Sequence, residues 1–314
     1  MILRTEILPT AAPFRLLPAD GVVIAGSCFA VQMADRLQAL RFRVCEASHG
    51  ILYHPDALAR SLSDVLSGSV VEYSDLILHE GRWHSMAHHG IFSDSDPAVA
   101  LARMNEALER TAQALPRARL LLLTLGTAHA WVYRDTGAVA GNCHRLPVGA
   151  FDRRLSPHDE ITEVLGKVLR ELLNRYPGLH VALSVSPVRH IREGLQQNQL
   201  SKAHLLVAAH ALAASHERIT YFPAWEIMMD DLRDYRFYER DMVHPNELAR
   251  DYIWERFSAW CMDPHTLALL AEVEQLSRIL HHRPSEQGRE AYTIAAGAAE
   301  ERIAALIASA TKKP

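Results

Sequence analysis

Cysteine is scarce in this chain. Its 314 residues hold four, Cys28, Cys45, Cys143 and Cys261, widely spread and without a C-x-x-C pair. In a chain of this size they do not read as a disulfide framework. Long apolar runs are also missing. The longest, Leu120–Leu123, is far shorter than the roughly 20 residues that span a bilayer. The opening stretch Met1–Asp20 carries Arg4, Glu6 and prolines without a long apolar run, so it does not read as a signal peptide. The expectation is a soluble, cytoplasmic protein with no membrane partner. No basic stripe or aromatic-basic interleaving stands out and the net charge is −4, which argues against a nucleic-acid partner. Repeats and low-complexity segments are absent. Hydrophobic residues at 49% and charged residues at 22% are a globular balance that argues against a disordered chain.

Histidine is plentiful, with 18 residues, several of them in His84, His88 and His89. They raise the prospect of a histidine-lined site. A metal reading of this cluster with His144 lacks a His-Glu-x-x-His pattern and a carboxylate at ligand spacing, so no metal or other cofactor is expected.

Non-alternating apolar runs at 21–25, 119–125 and 180–185 read as parallel strands covered on both faces, and 219–223 reads as a short last strand. Amphipathic helical patterns run over 30–40, 96–115, 156–175 and 201–217. Alternating strands and helices imply βαβ units, hence an α/β fold with a parallel sheet of about five strands between helical layers. Residues 47–92 are less regular and read as a small hairpin or loops. The composition divides the chain into an α/β domain over 1–262 and a helical C-terminal extension over 263–314. The Ala-rich segment 295–310 is expected to pack on the core or on a second subunit, which makes a homo-oligomer a candidate assembly.

The segment Gly26-Ser27-Cys28-Phe29-Ala30 follows a strand and opens a helix. Ligands in such sheets bind beyond the carboxyl ends of the strands, and a helix N-terminus favours a developing negative charge. Ser27 is therefore either a helix cap or a nucleophile. Cys28 is the rival nucleophile, or a packed side chain. Asp241-Met242-Val243-His244-Pro245 offers a histidine base and a carboxylate to orient it from one loop, although D-x-x-H is a common surface pattern. Gly126-Thr127-Ala128-His129 ends the second strand, and Gly141-Asn142-Cys143-His144 is a polar turn in which Asn142 either donates to an oxyanion or stabilises a hairpin. Arg189 follows the third strand and is placed either to orient a substrate or to pair with a carboxylate.

The order of these features resembles the SGNH, or GDSL-type, hydrolases. Gly26–Ala30 spells the motif that names the GSCFA family, bacterial proteins related to them. Further segments resemble that family, among them Gly50–Pro55, Trp83–Ser85, Leu125–Ala128, Gly141–His144, Val185–His190, Tyr221–Glu226 and Asp230–Pro245, so the likeness runs from about Pro18 to Trp260. It implies a three-layer, flavodoxin-like α/β sandwich and a serine-dependent hydrolase of acyl esters, such as O-acetylated saccharides. The transferred triad is Ser27, His244 and Asp241, with the N–H groups of Ser27 and Gly50 in the oxyanion hole. Where SGNH hydrolases carry Gly-x-Asn-Asp, this chain has Ala128. Asn142, Thr127 or His129 must replace that donor, or the hole is weaker, and one lost donor costs on the order of 10²–10³ in rate. His144 and Arg189 complete the expected substrate-binding set. Two further readings stay open: an acyltransferase acting on a saccharide, and a catalytically weak ligand-binding protein.

Overall fold

The computed structural model describes residues 5–281 and 289–310. In chain order the strands are β1 (Gly21–Gly26), β2 (Arg43–Ile51), β3 (Leu76–His79), β4 (Arg82–Ser85), β5 (Ala118–Leu125), β6 (His129–Tyr133), β7 (Phe151–Leu155), β8 (His180–Val185) and β9 (Ile219–Tyr221). The helices are α1 (Cys28–Ala39), α2 (Pro55–Ser67), α3 (Pro97–Ala114), α4 (His158–Arg175), α5 (Leu195–Ser215), α6 (Ala224–Glu226), α7 (Glu247–Cys261), α8 (Pro264–His281) and α9 (Arg289–Ala310).

Five strands form a parallel sheet in the order β2-β1-β5-β8-β9. Counting only these strands along the chain gives 2-1-3-4-5, the flavodoxin-like arrangement. Period-2 alternation with both faces covered explains why β1 and the centre of β5, Leu120–Leu123, are apolar. Val22, Ile24, Leu120 and Leu122 face a layer that includes α1 and α7. Val23, Ala25, Leu121 and Leu123 face the opposite layer, which includes α2, α4 and α5. The expected three-layer sandwich is therefore the observed fold. The hairpins β3–β4 and β6–β7 lie outside the central sheet.

Two elements of the sheet region differ from expectation. Edge strand β2 opens with Arg43 and carries Glu46, so it lacks the apolar run that marks a doubly covered strand. Helix α2 sits in the stretch read as irregular. Its start is fixed by Pro55 in the first turn and by His54, whose side chain accepts a hydrogen bond from the Asp56 N–H.

Helices α8 and α9 pack against each other and against the core. Leu269, Leu270, Val273, Ile303 and Leu306 belong to the same buried apolar cluster as Met33 and Leu37 of α1. Arg41 also pairs with Glu300 at 3.1 Å. Residues 282–288 and 311–314 of the C-terminal region lie outside the described residues. Among the described residues no helix is long and apolar enough to cross a membrane.

Candidate active site

The ends of β1, β5 and β8 converge on a cavity of about 500 Å³. Gly26 turns the chain out of β1 with φ +140°, and a Cβ there would stand 2.3 Å from the Thr124 carbonyl oxygen. Only glycine fits that backbone at that approach. Ser27 then occupies the N-cap position of α1 but makes no capping bond with its side chain. Its N–H donates to the Thr124 carbonyl at 3.2 Å and to Thr124 Oγ1 at 3.1 Å, and its Oγ lies 3.2 Å from that same Oγ1. Ser27 is completely buried and is not among the residues lining the cavity. Its N–H, expected in the oxyanion hole, is instead spent on Thr124. Cys28, the next residue, does line the cavity. Burial pushes its thiol pKa up, against the opposing pull of the Phe29 and Cys28 amides and of Lys202.

His244 enters the same cavity from the loop before α7. Asp241 Oδ2 lies 2.6 Å from His244 Nδ1, while Asp241 Oδ1 accepts the N–H groups of Val243 at 2.8 Å and His244 at 3.0 Å. The His244 side chain first, then the two amides, hold the Asp241 carboxyl down at about 2. With Nδ1 engaged, His244 keeps Nε2 for chemistry. Arg189 braces this loop. Its N–H donates to the Val243 carbonyl at 3.2 Å, its guanidinium donates to the Met242 carbonyl at 3.3 Å, and the guanidinium lies 3.9 Å from the Tyr238 ring centroid.

The β5 side is wired more tightly. Thr127 Oγ1 pairs with Ser201 Oγ at 3.1 Å and accepts the His129 N–H at 3.1 Å. The Ala128 N–H donates to Ser201 Oγ at 2.8 Å, and its methyl is buried. Beneath them Lys202 Nζ donates to the carbonyls of Gly126 at 2.8 Å and Ser186 at 2.7 Å, joining the ends of β5 and β8. Burial pushes its pKa down to about 7. Asn142 lines the cavity; its Oδ1 accepts the His144 N–H at 2.8 Å, which leaves Nδ2 free to donate.

Thr127, Asn142, Arg189 and His244 thus line one cavity, with Asp241 directly behind His244. Gly50 and His144 do not line it. Gly50 has φ +75°, and a Cβ there would stand 2.9 Å from His89 Cβ. His144 is buried, donating through Nε2 to the Ser85 carbonyl, 2.9 Å away, against the His84 ring. A carbonyl can only accept, so this nitrogen carries the proton. In the same cluster, His84 pairs with Ser93 Oγ at 2.7 Å and His88 with Ser85 Oγ at 2.9 Å.

Tyr53, Trp131, Arg153 and Arg192 are among the cavity residues that sequence reasoning did not single out. Arg153 and Arg192 hold their guanidinium carbons 4.1 and 4.6 Å from the Trp131 ring centroid, and Arg153 also forms an ion pair with Glu193. Trp131 and Arg153 face each other across the β6–β7 ladder, a pairing that no local pattern announces.

Residues 21–257 match the GSCFA family. The chain belongs to this family. It is also 27% identical over 219 residues to hexosaminidase D of Bos taurus, covering 66% of this chain and 58% of that protein, so it spans less than two thirds of that relative. Among solved structures, a Streptococcus pneumonia protein described as a candidate platelet activating factor superposes with a TM-score of 0.41 at 12% identity, over 77% of this chain and 84% of the other. An acetyl xylan esterase from the rumen bacterium Butyrivibrio proteoclasticus does so with a TM-score of 0.32 at 10% identity, over 66% and 56%. This GSCFA chain owes its fold assignment to its own strand order.

Proposed function

We propose that the protein is an acyl hydrolase whose nucleophile comes from the Gly26–Cys28 turn and whose base is His244, oriented by Asp241. The observation that carries this reading is the shared cavity, into which His244 and the first residue of α1 both open. A histidine with one nitrogen fixed by a carboxylate and the other free is the arrangement that takes a proton from a nucleophile and returns it to a leaving group.

The nucleophile in this reading is Cys28. Ser27, assigned that role by resemblance, has its hydroxyl turned to Thr124 and enclosed, so it would need the turn to rearrange. Because burial holds the Cys28 thiol protonated, His244 removes its proton as sulfur attacks the carbonyl carbon. The Cys28 sulfur–carbon bond forms, the ester C–O bond breaks, and His244 returns the proton to the departing alkoxide. Water, activated by His244, then cleaves the thioester and frees Cys28. A sugar hydroxyl in place of water makes the same site an acyltransferase. Asn142 Nδ2 supplies an oxyanion donor in place of the side chain missing at Ala128.

A glycosidase reading, suggested by the hexosaminidase likeness, has less support. Paired carboxylates normally perform that chemistry. Among the described residues lining the cavity the only carboxylate is Glu193, and Arg153 neutralises it.

The test is acyl-ester hydrolysis by four proteins: wild type, Ser27→Ala, Cys28→Ala and His244→Ala. Iodoacetamide labelling of each is mapped by peptide mass. Activity and labelling at residue 28 that persist in Ser27→Ala and vanish in Cys28→Ala support the reading. Activity lost in Ser27→Ala and kept in Cys28→Ala returns the role to the serine. Full activity in folded His244→Ala overturns the mechanism altogether.

A further inference from the structure

The wall formed by β6, β7 and the loop after β8 is unevenly charged. Arg153, Arg189 and Arg192 all line the cavity, against Glu193 as the one lining carboxylate among the described residues. Glu193 is used by Arg153. Neither Arg189 nor Arg192 forms an ion pair among the described residues. Arg189 is committed to the Met242 carbonyl and the Tyr238 ring. Arg192 rests only on Trp131, 4.6 Å from its centroid, while Arg153 lies 4.1 Å from the same ring.

Two guanidiniums mounted on one indole repel each other. Burial and then the neighbouring Arg192 push the Arg153 pKa down to about 10. The indole serves as a mount for both cations rather than as an open stacking platform, and it fixes guanidinium forks that suit an oxyanion. Two further cavity residues carry a ring nitrogen without a hydrogen-bond partner. They are His129 and His190, and in each the nitrogen is a buried Nε2. Burial pushes the His190 pKa down to about 3, so it is neutral, and it donates through that nitrogen when its single proton sits there.

We propose that Arg192, mounted on Trp131 beside the Arg153–Glu193 pair, forms a subsite for an anionic group of the substrate, so that the cavity takes acyl esters bearing a carboxylate or phosphate. This rests on the acyl-hydrolase reading above for the identity of the reacting bond, but not for the anion itself. An oxyanion there pairs with Arg192, the guanidinium without a carboxylate partner, and leaves the ester carbonyl near Cys28 and His244. Charge-assisted hydrogen bonds give each guanidinium an effect on the order of tenfold or more in binding.

Two measurements test this. First, kcat/KM is compared for 4-nitrophenyl acetate and the charged half-ester 4-nitrophenyl succinate. Wild type should prefer the charged ester by about tenfold or more, and Arg192→Gln should lose most of that preference. Arg302→Gln removes an equal charge from an ion pair with Glu272 on the distant α8–α9 hairpin, and it should leave the ratio unchanged. A wild-type ratio near one together with no calorimetric binding of either anion, or equal losses in both variants, overturns the subsite. Second, succinate and inorganic phosphate are titrated calorimetrically into wild type and Arg192→Gln. Binding of either that weakens in Arg192→Gln supports the subsite even if neither ester is hydrolysed, an outcome that would sink only the hydrolase reading. Succinate binding alone assigns a carboxylate, and phosphate binding alone assigns a phosphate ester. Binding of neither in the millimolar range overturns the proposal.

Discussion

Lysine 202 offers a quantitative test of how the floor of the cavity is built. It is 1% exposed, and its Nζ has two carbonyl acceptors, Gly126 and Ser186, with the Trp225 ring centroid 4.9 Å away. A neutral amine has two hydrogens for those two carbonyls, so losing a proton costs the native state little hydrogen bonding. Burial pushes the pKa from 10.5 down to about 7, whereas in the unfolded chain the ordinary value returns. Between these values the unfolded chain holds a proton that the native protein does not, so stability rises with pH. At about 1.4 kcal/mol per unit, raising the pH by about two units within that window adds about 2.5–3 kcal/mol. In Lys202→Met this increment disappears, and each abandoned carbonyl costs about 1–3 kcal/mol. The penalty of the substitution therefore grows from neutral to alkaline pH. Urea denaturation of both proteins at about pH 7.5 and about pH 9.5 measures it, each comparison isolating one residue's titration. Parallel pH profiles for the two proteins would refute the account of Lys202 as a buried, easily neutralised clip.

Other expectations are simpler. Gly26→Ala forces a methyl group to within 2.3 Å of the Thr124 carbonyl at φ +140°, so it should cost several kcal/mol; thermal melting of the variant, if unchanged, would contradict the geometry. Asp241→Asn removes the carboxylate that orients His244 and should lower kcat by about 10³–10⁴ with little change in substrate binding, as rapid-quench kinetics and equilibrium titration can separate. Burial pushes the pKa of His54 down to about 3, of His88 to about 2 and of His144 to about 4. Below the ordinary value of 6.5 the unfolded chain takes up protons first, so acidification from there towards about 4 should destabilise the protein by about 1.4 kcal/mol per histidine per pH unit. Uptake of fewer than about three protons on unfolding near pH 5 would show that these imidazoles are not held neutral.

Strands covered on both faces were the most legible part of the sequence, because β1, β5 and β8 have no polar side to hide. The edge strand β2 was not, since Arg43 and Glu46 interrupt its pattern. Helix α2 escaped because histidine is not a usual capping residue, although Pro55 marks the first turn. The Asp241–His244 contact was readable from spacing, because a D-x-x-H loop brings the two side chains together locally. The distinction between Ser27 and Cys28 was not. Ser27 has extended backbone with ψ 176°, and that torsion decides which of two neighbours meets Thr124 and which meets the cavity. The arginine-clad Trp131 depends on β6–β7 pairing and on the loop after β8, contacts between residues far apart in the chain.

The C-terminal hairpin carries a consequence for anyone trimming the chain. Phe29, Met33, Ala34 and Leu37 of α1 share one buried apolar cluster with Leu269, Leu270, Val273 and Leu306. That helix begins at Cys28, so α8 and α9 share a core with the element that presents the thiol. Cutting after Met262 removes no cavity-lining residue, yet it removes part of the apolar cluster that α1 shares. On the proposed mechanism, the smallest unit expected to keep full activity therefore reaches beyond the segment that holds the proposed reactive groups.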